Sequence, residues 1–282
     1  MVVSSSQDSV SPPVPGASGG DPGRPEVGPP AKVIWHDLEC GSYRADLPLW
    51  RELAERHGDP ILDIGAGSGR VALDLARAGH RVTALDLDPE LLGALQRGAG
   101  EEQVETVCAD ARSFELDRHD FALCLVPMQT LQLLSDVTER AAFLRCALAH
   151  LRPGGLLACA IVTELDPFDV ADGSPGPTPE TAHVGETLYV SQAESVRVLS
   201  ERIVIERSRR IVSFDARDPN YAGSADTSND ESADERNVIE LARVSPAELE
   251  REGTEVGFHP ERALAIKPTD EHVGSVVVML RA

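Results

Sequence analysis

Lysine is almost missing from this chain of 282 residues: it occurs only at Lys32 and Lys267, and the other members of its 26 bases are arginine. That bias looks like the codon usage of a GC-rich genome and carries no functional information. The deficit of positive charge does carry some. Against 47 acids the net charge is -21, which argues against binding to a duplex phosphate backbone or an anionic membrane surface, since either needs a basic face. Neither nucleic acid nor membrane is therefore expected as a partner. No stretch of about 18 apolar residues exists to span a bilayer, and the N-terminus lacks the basic and apolar regions of a secretion signal. Cysteine is sparse: Cys40, Cys108, Cys124, Cys146 and Cys159 are odd in number, scattered and never paired as C-x-x-C. This argues against a disulfide framework and against a zinc knuckle, and no metal is expected. Free thiols inside apolar runs act as small hydrophobes and suit a reducing, cytoplasmic location.

What is present suffices for a core. Hydrophobic residues make up 41% of the chain, and its length allows one large domain or two small ones. Residues 1–31 are rich in Ser, Pro and Gly and read as a disordered tail, leaving 32–282 as the folded domain. Two further stretches, 165–186 (four prolines) and 215–237 (seven acids), read as long flexible loops.

Between the tail and the first loop the pattern alternates. Helices are expected over Asp46–His57, Arg70–Ala78, Pro89–Arg97 and Thr138–Leu151. Short apolar strands are expected over Pro60–Ile64, Arg81–Asp86, Val104–Cys108, Phe121–Val126 and Leu156–Val162. Arg152-Pro153-Gly154-Gly155 reads as the turn before the fifth strand. Strands alternating with helices imply a doubly wound, mostly parallel α/β sheet. Segments 187–193, 196–206, 209–214 and 238–244 then alternate with period 2 and no intervening helix, as an inserted antiparallel β meander spanning 165–244. Ser245-Pro246-Ala247-Glu248 is a capping box opening a last helix that ends near Gly257, and strands near 262–267 and 274–281 finish the chain.

The sharpest signal is Asp63-Ile64-Gly65-Ala66-Gly67-Ser68-Gly69-Arg70, lying between a strand and a helix. Glycines allow a tight turn and let a ligand approach the backbone. Asp86 ends the next strand, where a carboxylate can accept from both hydroxyls of a ribose. Two ligands fit. A dinucleotide fingerprint reads Gly67-x-Gly69-x-x-Ala72, which would make the protein an NAD(P)-dependent oxidoreductase. Asp63 speaks against it: a negative charge at the strand's mouth repels a diphosphate and attracts an ammonium or a sulfonium.

On these residues the chain resembles the class I S-adenosylmethionine-dependent methyltransferases, strongly over about 60–162 and more weakly over the last two strands. The resemblance implies a seven-stranded Rossmann-like sheet and S-adenosyl-L-methionine as cofactor. Asp63, Gly65, Ala66, Gly67 and Gly69 would hold its methionine part. Within Ala84-Leu85-Asp86-Leu87-Asp88, Asp86 would bind the ribose and Leu87 would lie against adenine. Within Val107-Cys108-Ala109-Asp110-Ala111, Asp110 would accept from the adenine amino group and the Ala111 amide would meet the ring. Val126 at the end of the fourth strand and Tyr43 before the first helix complete the expected cofactor set.

In an open α/β sheet, ligands bind outside the carboxyl ends of the strands. That rule places the acceptor near Met128, Gln129 and Gln132 after the fourth strand, Glu164 after the fifth, and Tyr189 in the meander, which should cover this rim as a lid. The turn with Asp270, Glu271 and His272 is expected on the same rim, with His272 as the candidate base. Family members that methylate adenine or glutamine amides often carry Asn/Asp-Pro-Pro-aromatic after the fourth strand. Here the residues are Val126-Pro127-Met128-Gln129, and an antiparallel insert after the fifth strand is similar to glycine N-methyltransferase. A small-molecule acceptor with a nitrogen or oxygen nucleophile is expected, on a monomer or homodimer. A methyltransferase fold that has lost catalysis and serves as a binding protein is the remaining alternative.

Overall fold

The computed structural model describes residues 28–213, 235–269 and 272–282. Residues 1–27, nearly all of the expected tail, lie outside these. The tail's boundary moves, because helix α1 begins at Ala31 and runs to Cys40. Helix α2 (Leu47–His57) follows, then β1 (Ile61–Ile64), α3 (Arg70–Arg77), β2 (Val82–Asp86), α4 (Pro89–Ala99), β3 (Val104–Cys108) and β4 (Phe121–Val126). Next come a short 3-10 turn (Thr130–Leu133), α5 (Val137–His150) and β5 (Leu151–Ile161).

After the insert, α6 (Pro246–Val256) precedes β11 (His259–Ile266) and β12 (Ser275–Arg281). The seven-stranded sheet runs in the order β11-β12-β5-β4-β1-β2-β3. β1 to β5 are mutually parallel, and β12 is antiparallel to both β5 and β11. β11 is therefore parallel to the rest, and the turn after Ile266 lies on the rim where β1 to β5 end.

Side-chain alternation splits the core into two layers. Ile61, Leu123, Leu125, Leu156 and Ala158 pack on α2 and α3, against Trp50, Leu53, Val71 and Leu75. Leu62, Ile64, Cys124, Val126, Leu157 and Cys159 pack on α5 and α6, against Phe143, Leu144 and Leu249. Each central strand is buried on both faces, which is why these strands read as continuous apolar runs. The capping box of α6 is present in full: the Glu248 amide donates to Ser245 Oγ, and the Ser245 amide donates to Glu248 Oε2.

The insert is a second sheet of β6 (Phe168–Asp169), β7 (Glu180–Val184), β8 (Thr187–Val198), β9 (Arg202–Ser213) and β10 (Glu235–Ala242). Its order is β10-β9-β8-β6, with β7 also on β8, and every pair is antiparallel. Four expectations are corrected here. Residues 165–186 are not one loop, because β6 and β7 dock on β8. Of the expected loop 215–237, Glu235–Asn237 belong to β10 and the rest lies outside the described residues. The expected strand 196–206 crosses a turn at 199–201, so β8 and β9 are each longer than expected. Arg152–Gly155 lie inside β5, where the pairing with β4 shifts between Phe121 and Leu123.

Candidate cofactor and acceptor site

β1 ends at Ile64 and α3 starts at Arg70, so the chain must reverse within five residues. Gly65, Gly67 and Gly69 all take left-handed backbone, at φ 73°, 56° and 98°. The loop is pinned to β2: the Gly65 and Ala66 amides donate to Leu85 O, and the Gly67 amide donates to Asp86 Oδ2 at 2.8 Å. Space is also limiting. A Cβ on Gly67 would stand 2.4 Å from His36 Nε2, and one on Gly65 would stand 2.2 Å from Thr130 Cγ2.

Behind this loop sits Asp63, buried, with Oδ1 lacking any hydrogen-bond partner. Burial pushes its carboxyl up to about 7, against the pull of the Arg70 charge and the Ala72 amide. Arg70, the first residue of α3, is itself locked. Its guanidinium donates to both carboxylate oxygens of buried Asp46, at 2.6 and 2.8 Å, and to the Tyr43 carbonyl at 2.9 Å. Trp50 Nε1 donates to the same carboxylate at 2.8 Å. The guanidinium also lies over the Tyr43 ring, 5.3 Å from its centroid. Tyr43 meets His272 edge to face at 4.8 Å, and its buried hydroxyl has no partner.

At the end of β2, Asp86 Oδ1 accepts from the Asp88 amide at 2.9 Å, and Asp88 caps α4 through the Glu90 and Leu91 amides. Leu87 between them is 67% exposed, a bare apolar side chain at the sheet's rim. Asp110 follows β3. Both its oxygens accept from Arg112, which also pairs with Glu139, and this drives the Asp110 carboxyl down to about 2. Ala111 sits in the turn beside it. The Asp110 carboxylate thus stands in an arginine pair rather than free, a partner the sequence reading did not foresee.

Three acceptor or cofactor expectations change. Gln132 is fully buried: its Nε2 donates to Val162 O and Ala242 O, and its Oε1 accepts from the Val162 amide. It is a staple between β5 and the end of β10, with its polar atoms committed to backbone. Val126 packs in the apolar layer against α5, so its side chain is core. Tyr189 meets the Trp35 ring edge to face at 5.1 Å and is occupied by α1. Met128 is the one non-glycine residue among those described with left-handed backbone, at φ 54°, and it packs partly buried against the core layer that holds α2 and α3. Gln129 is half-buried next to it. Glu164 lies in a cleft of about 390 Å³ with Thr163, Asp166, Ile266 and Pro268. His272 is half-buried, and Asp270 and Glu271 lie outside the described residues.

Several residues at the site were not read from the sequence: Trp35, His36 and Glu39 on α1, Asp46 as the partner of Arg70, and Thr130. The i, i+4 spacing of Asp46 and Trp50 on a helix start was a usable signal for the second of these. Among the described residues no group of three His, Cys, Asp or Glu is placed to hold a metal ion, and no helix is long and apolar enough to cross a membrane.

The residues present fit an adenosyl sulfonium cofactor. A buried carboxylate with one unpartnered oxygen stands behind a glycine loop, a second carboxylate ends β2, and an exposed leucine follows it. Residues 61–155 match the family model described as "Methyltransferase domain". The chain is similar to the cypemycin N-terminal methyltransferase of a Streptomyces species, 35% identical over 98 residues, or 35% of this chain and 40% of that protein. It is similar to the ubiquinone biosynthesis O-methyltransferase of Methylocella silvestris, 34% identical over 138 residues, or 46% of this chain and 52% of that protein. The matched region thus spans about half or less of these curated relatives. In three dimensions it resembles the S-adenosylmethionine-bound amino pentose methyltransferase CalS10 of Micromonospora echinaspora. That likeness has a TM-score of 0.61 at 16% identity, covering 88% of this chain and 97% of that one. With its strand order and inserted sheet the chain has the fold of these solved methyltransferases, and its residues 61–155, which hold the glycine loop, match the methyltransferase-domain model.

Proposed function

We propose that the protein transfers a methyl group from S-adenosylmethionine to a nitrogen or oxygen of a small molecule. The observation that carries this is Asp63, a buried carboxylate with a free lone pair behind the glycine loop. A cationic ammonium or sulfonium satisfies it, whereas a diphosphate at the same place meets like charge and the dinucleotide reading loses its footing. Asp86 accepts from ribose hydroxyls with the lone pairs its two backbone amides leave over, and Leu87 gives adenine an apolar face. The cofactor, when bound, supplies an electrophilic methyl group. The protein's part is alignment, a dry cavity and orientation of the nucleophile.

The acceptor sits in the cleft of Thr163, Glu164, Asp166 and Ile266, between the ends of β5 and β11. Its two carboxylates suit an acceptor that bears an amine better than an anionic one. Both N- and O-methyltransferases are among the curated relatives, in keeping with either nucleophile. His272, held against Tyr43, is the base for a hydroxyl acceptor; an amine that arrives neutral needs none. The excess of acids fits a small-molecule acceptor rather than nucleic acid.

The test is release of S-adenosylhomocysteine when the protein and S-adenosylmethionine are mixed with fractionated metabolite pools. Turnover with an amine- or hydroxyl-bearing fraction is expected. Binding of the cofactor with no turnover in any fraction would favour the silent binding protein.

A further inference from the structure

Helix α1 touches both halves of the molecule. One end meets the cofactor loop: Ser68 Oγ lies 3.2 Å from His36 Nδ1 and donates to Asp37 Oδ1 at 2.5 Å. Lys32 pairs with the α4 cap Asp88 at 2.7 Å. The other side meets the inserted sheet. Arg209 on β9 donates from Nε and Nη2 to the two Glu39 oxygens, each at 2.8 Å, and Ser191 on β8 donates to Glu39 Oε1 at 2.8 Å. Arg209 also lies over the Trp35 ring, 5.6 Å from its centroid. The Glu39 and Arg209 side chains are only 8% and 14% exposed, so the pair is shielded from water and geometrically fixed.

We propose that the Glu39–Arg209 pair is a positioning pair that seats His36 over Gly67, so that cofactor binding at the loop and the placement of the inserted sheet are one linked event. The physical ground is the continuity of α1. Ten residues of hydrogen-bonded helix transmit a displacement of Glu39 to His36 one turn away. His36 lies where any side chain on Gly67 would be, so it borders the ground the cofactor must approach. A ligand resting on the loop is then held partly through α1, and α1 is held by the sheet. By linkage, the sheet is held more firmly when the loop is occupied. This rests on the cofactor reading above.

The experiment measures S-adenosylhomocysteine affinity and backbone hydrogen exchange in the full chain. Arg209→Met is expected to weaken binding at least fivefold while exchange in β1 and β4 stays as in the wild type. Glu39→Gln gives the same result if Arg209→Met folds poorly. The exchanged pair Glu39→Arg with Arg209→Glu should recover most of the affinity. Arg197→Met, which removes an ion pair to Glu206 inside the inserted sheet, should leave affinity within twofold. In a His36→Ala background, Arg209→Met should add little further loss, because the contact it supports is already gone. In the wild type, S-adenosylhomocysteine should slow exchange in β8 and β9, and in Glu39→Gln it should not. Wild-type affinity in both Arg209→Met and Glu39→Gln would overturn the inference and leave the cofactor reading standing. So would an equal loss in Arg197→Met. Failure of the wild-type chain to bind at all would overturn both.

Discussion

Gln132 and Val162 exchange two hydrogen bonds: the glutamine Nε2 donates to the valine carbonyl at 3.0 Å, and the valine amide donates to Oε1 at 2.8 Å. A side chain thus stands in for a strand neighbour where β5 leaves the sheet and the inserted sheet begins. Its second donation, to Ala242 O at 3.0 Å, ties down the point where the insert returns.

Gln132→Leu should therefore cost stability. Buried backbone groups lose their partners, each worth about 1–3 kcal/mol when left unpaired. Urea denaturation is expected to show a loss of about 2–4 kcal/mol with an unchanged slope. A loss below about 0.5 kcal/mol would mean that water replaces the glutamine.

Asp63 gives a pH signature. Its carboxyl titrates near 7 in the folded chain and near its ordinary 3.8 when unfolded. The folded state holds the extra proton between these values, so this group's contribution to stability is greatest at acid pH and declines as pH rises from about 4 to 7. Asp63→Asn should remove that slope and be the more stable protein above pH 7, by about 1–4 kcal/mol. Cofactor affinity should move the other way: only the carboxylate attracts an ammonium, so binding is expected to strengthen as pH rises through 7 in the wild type and to stay flat in Asp63→Asn. Parallel pH series of melting and of S-adenosylhomocysteine titration check both.

Asp86 accepts from the Gly67 and Asp88 amides, and in the proposed site it also receives the ribose. Asp86→Ala should weaken S-adenosylhomocysteine binding by about 1–3 kcal/mol, read by calorimetry. Unchanged affinity would displace the ribose from β2.

Cys108 is an exposed thiol at the end of β3, its Sγ 3.5 Å from the Leu87 carbonyl. Cys124 and Cys159 are buried, and burial pushes both thiols well above the usual range. A mild disulfide reagent is expected to modify Cys108 first and to be slowed severalfold by S-adenosylhomocysteine, as mass spectrometry of the labelled peptide can show. Equal labelling with and without ligand would place the adenine elsewhere.

The sheet and the glycine loop were legible because their signals are local. Apolar runs such as Phe121–Val126 are buried on both faces, and the loop's glycines are demanded by left-handed backbone within a few residues of each other. Helix α1 was not legible. Its apolar residues Val33, Ile34 and Trp35 cover a small part of one face, and the partners of Trp35 and Glu39, Tyr189 and Arg209, lie more than 150 residues away in the chain. The turn at 199–201 was missed for a similar reason. It has no glycine or proline, and the Leu199 and Ser200 carbonyls are satisfied by Arg243 from beyond β10. At the site, residue type showed that Asp63, Asp86 and Asp110 could bind a ligand. It did not show that Asp110 would be held by Arg112, or that Gln132 would be spent on backbone.

Calorimetric titration of the purified chain with S-adenosylmethionine, S-adenosylhomocysteine and NAD(H) bears most directly on the reading of the glycine loop. Micromolar binding of the two sulfur ligands, with no heat from the dinucleotide, is expected. Binding of NAD(H), or silence from all three, would mean that Asp63 and the loop serve another ligand or none.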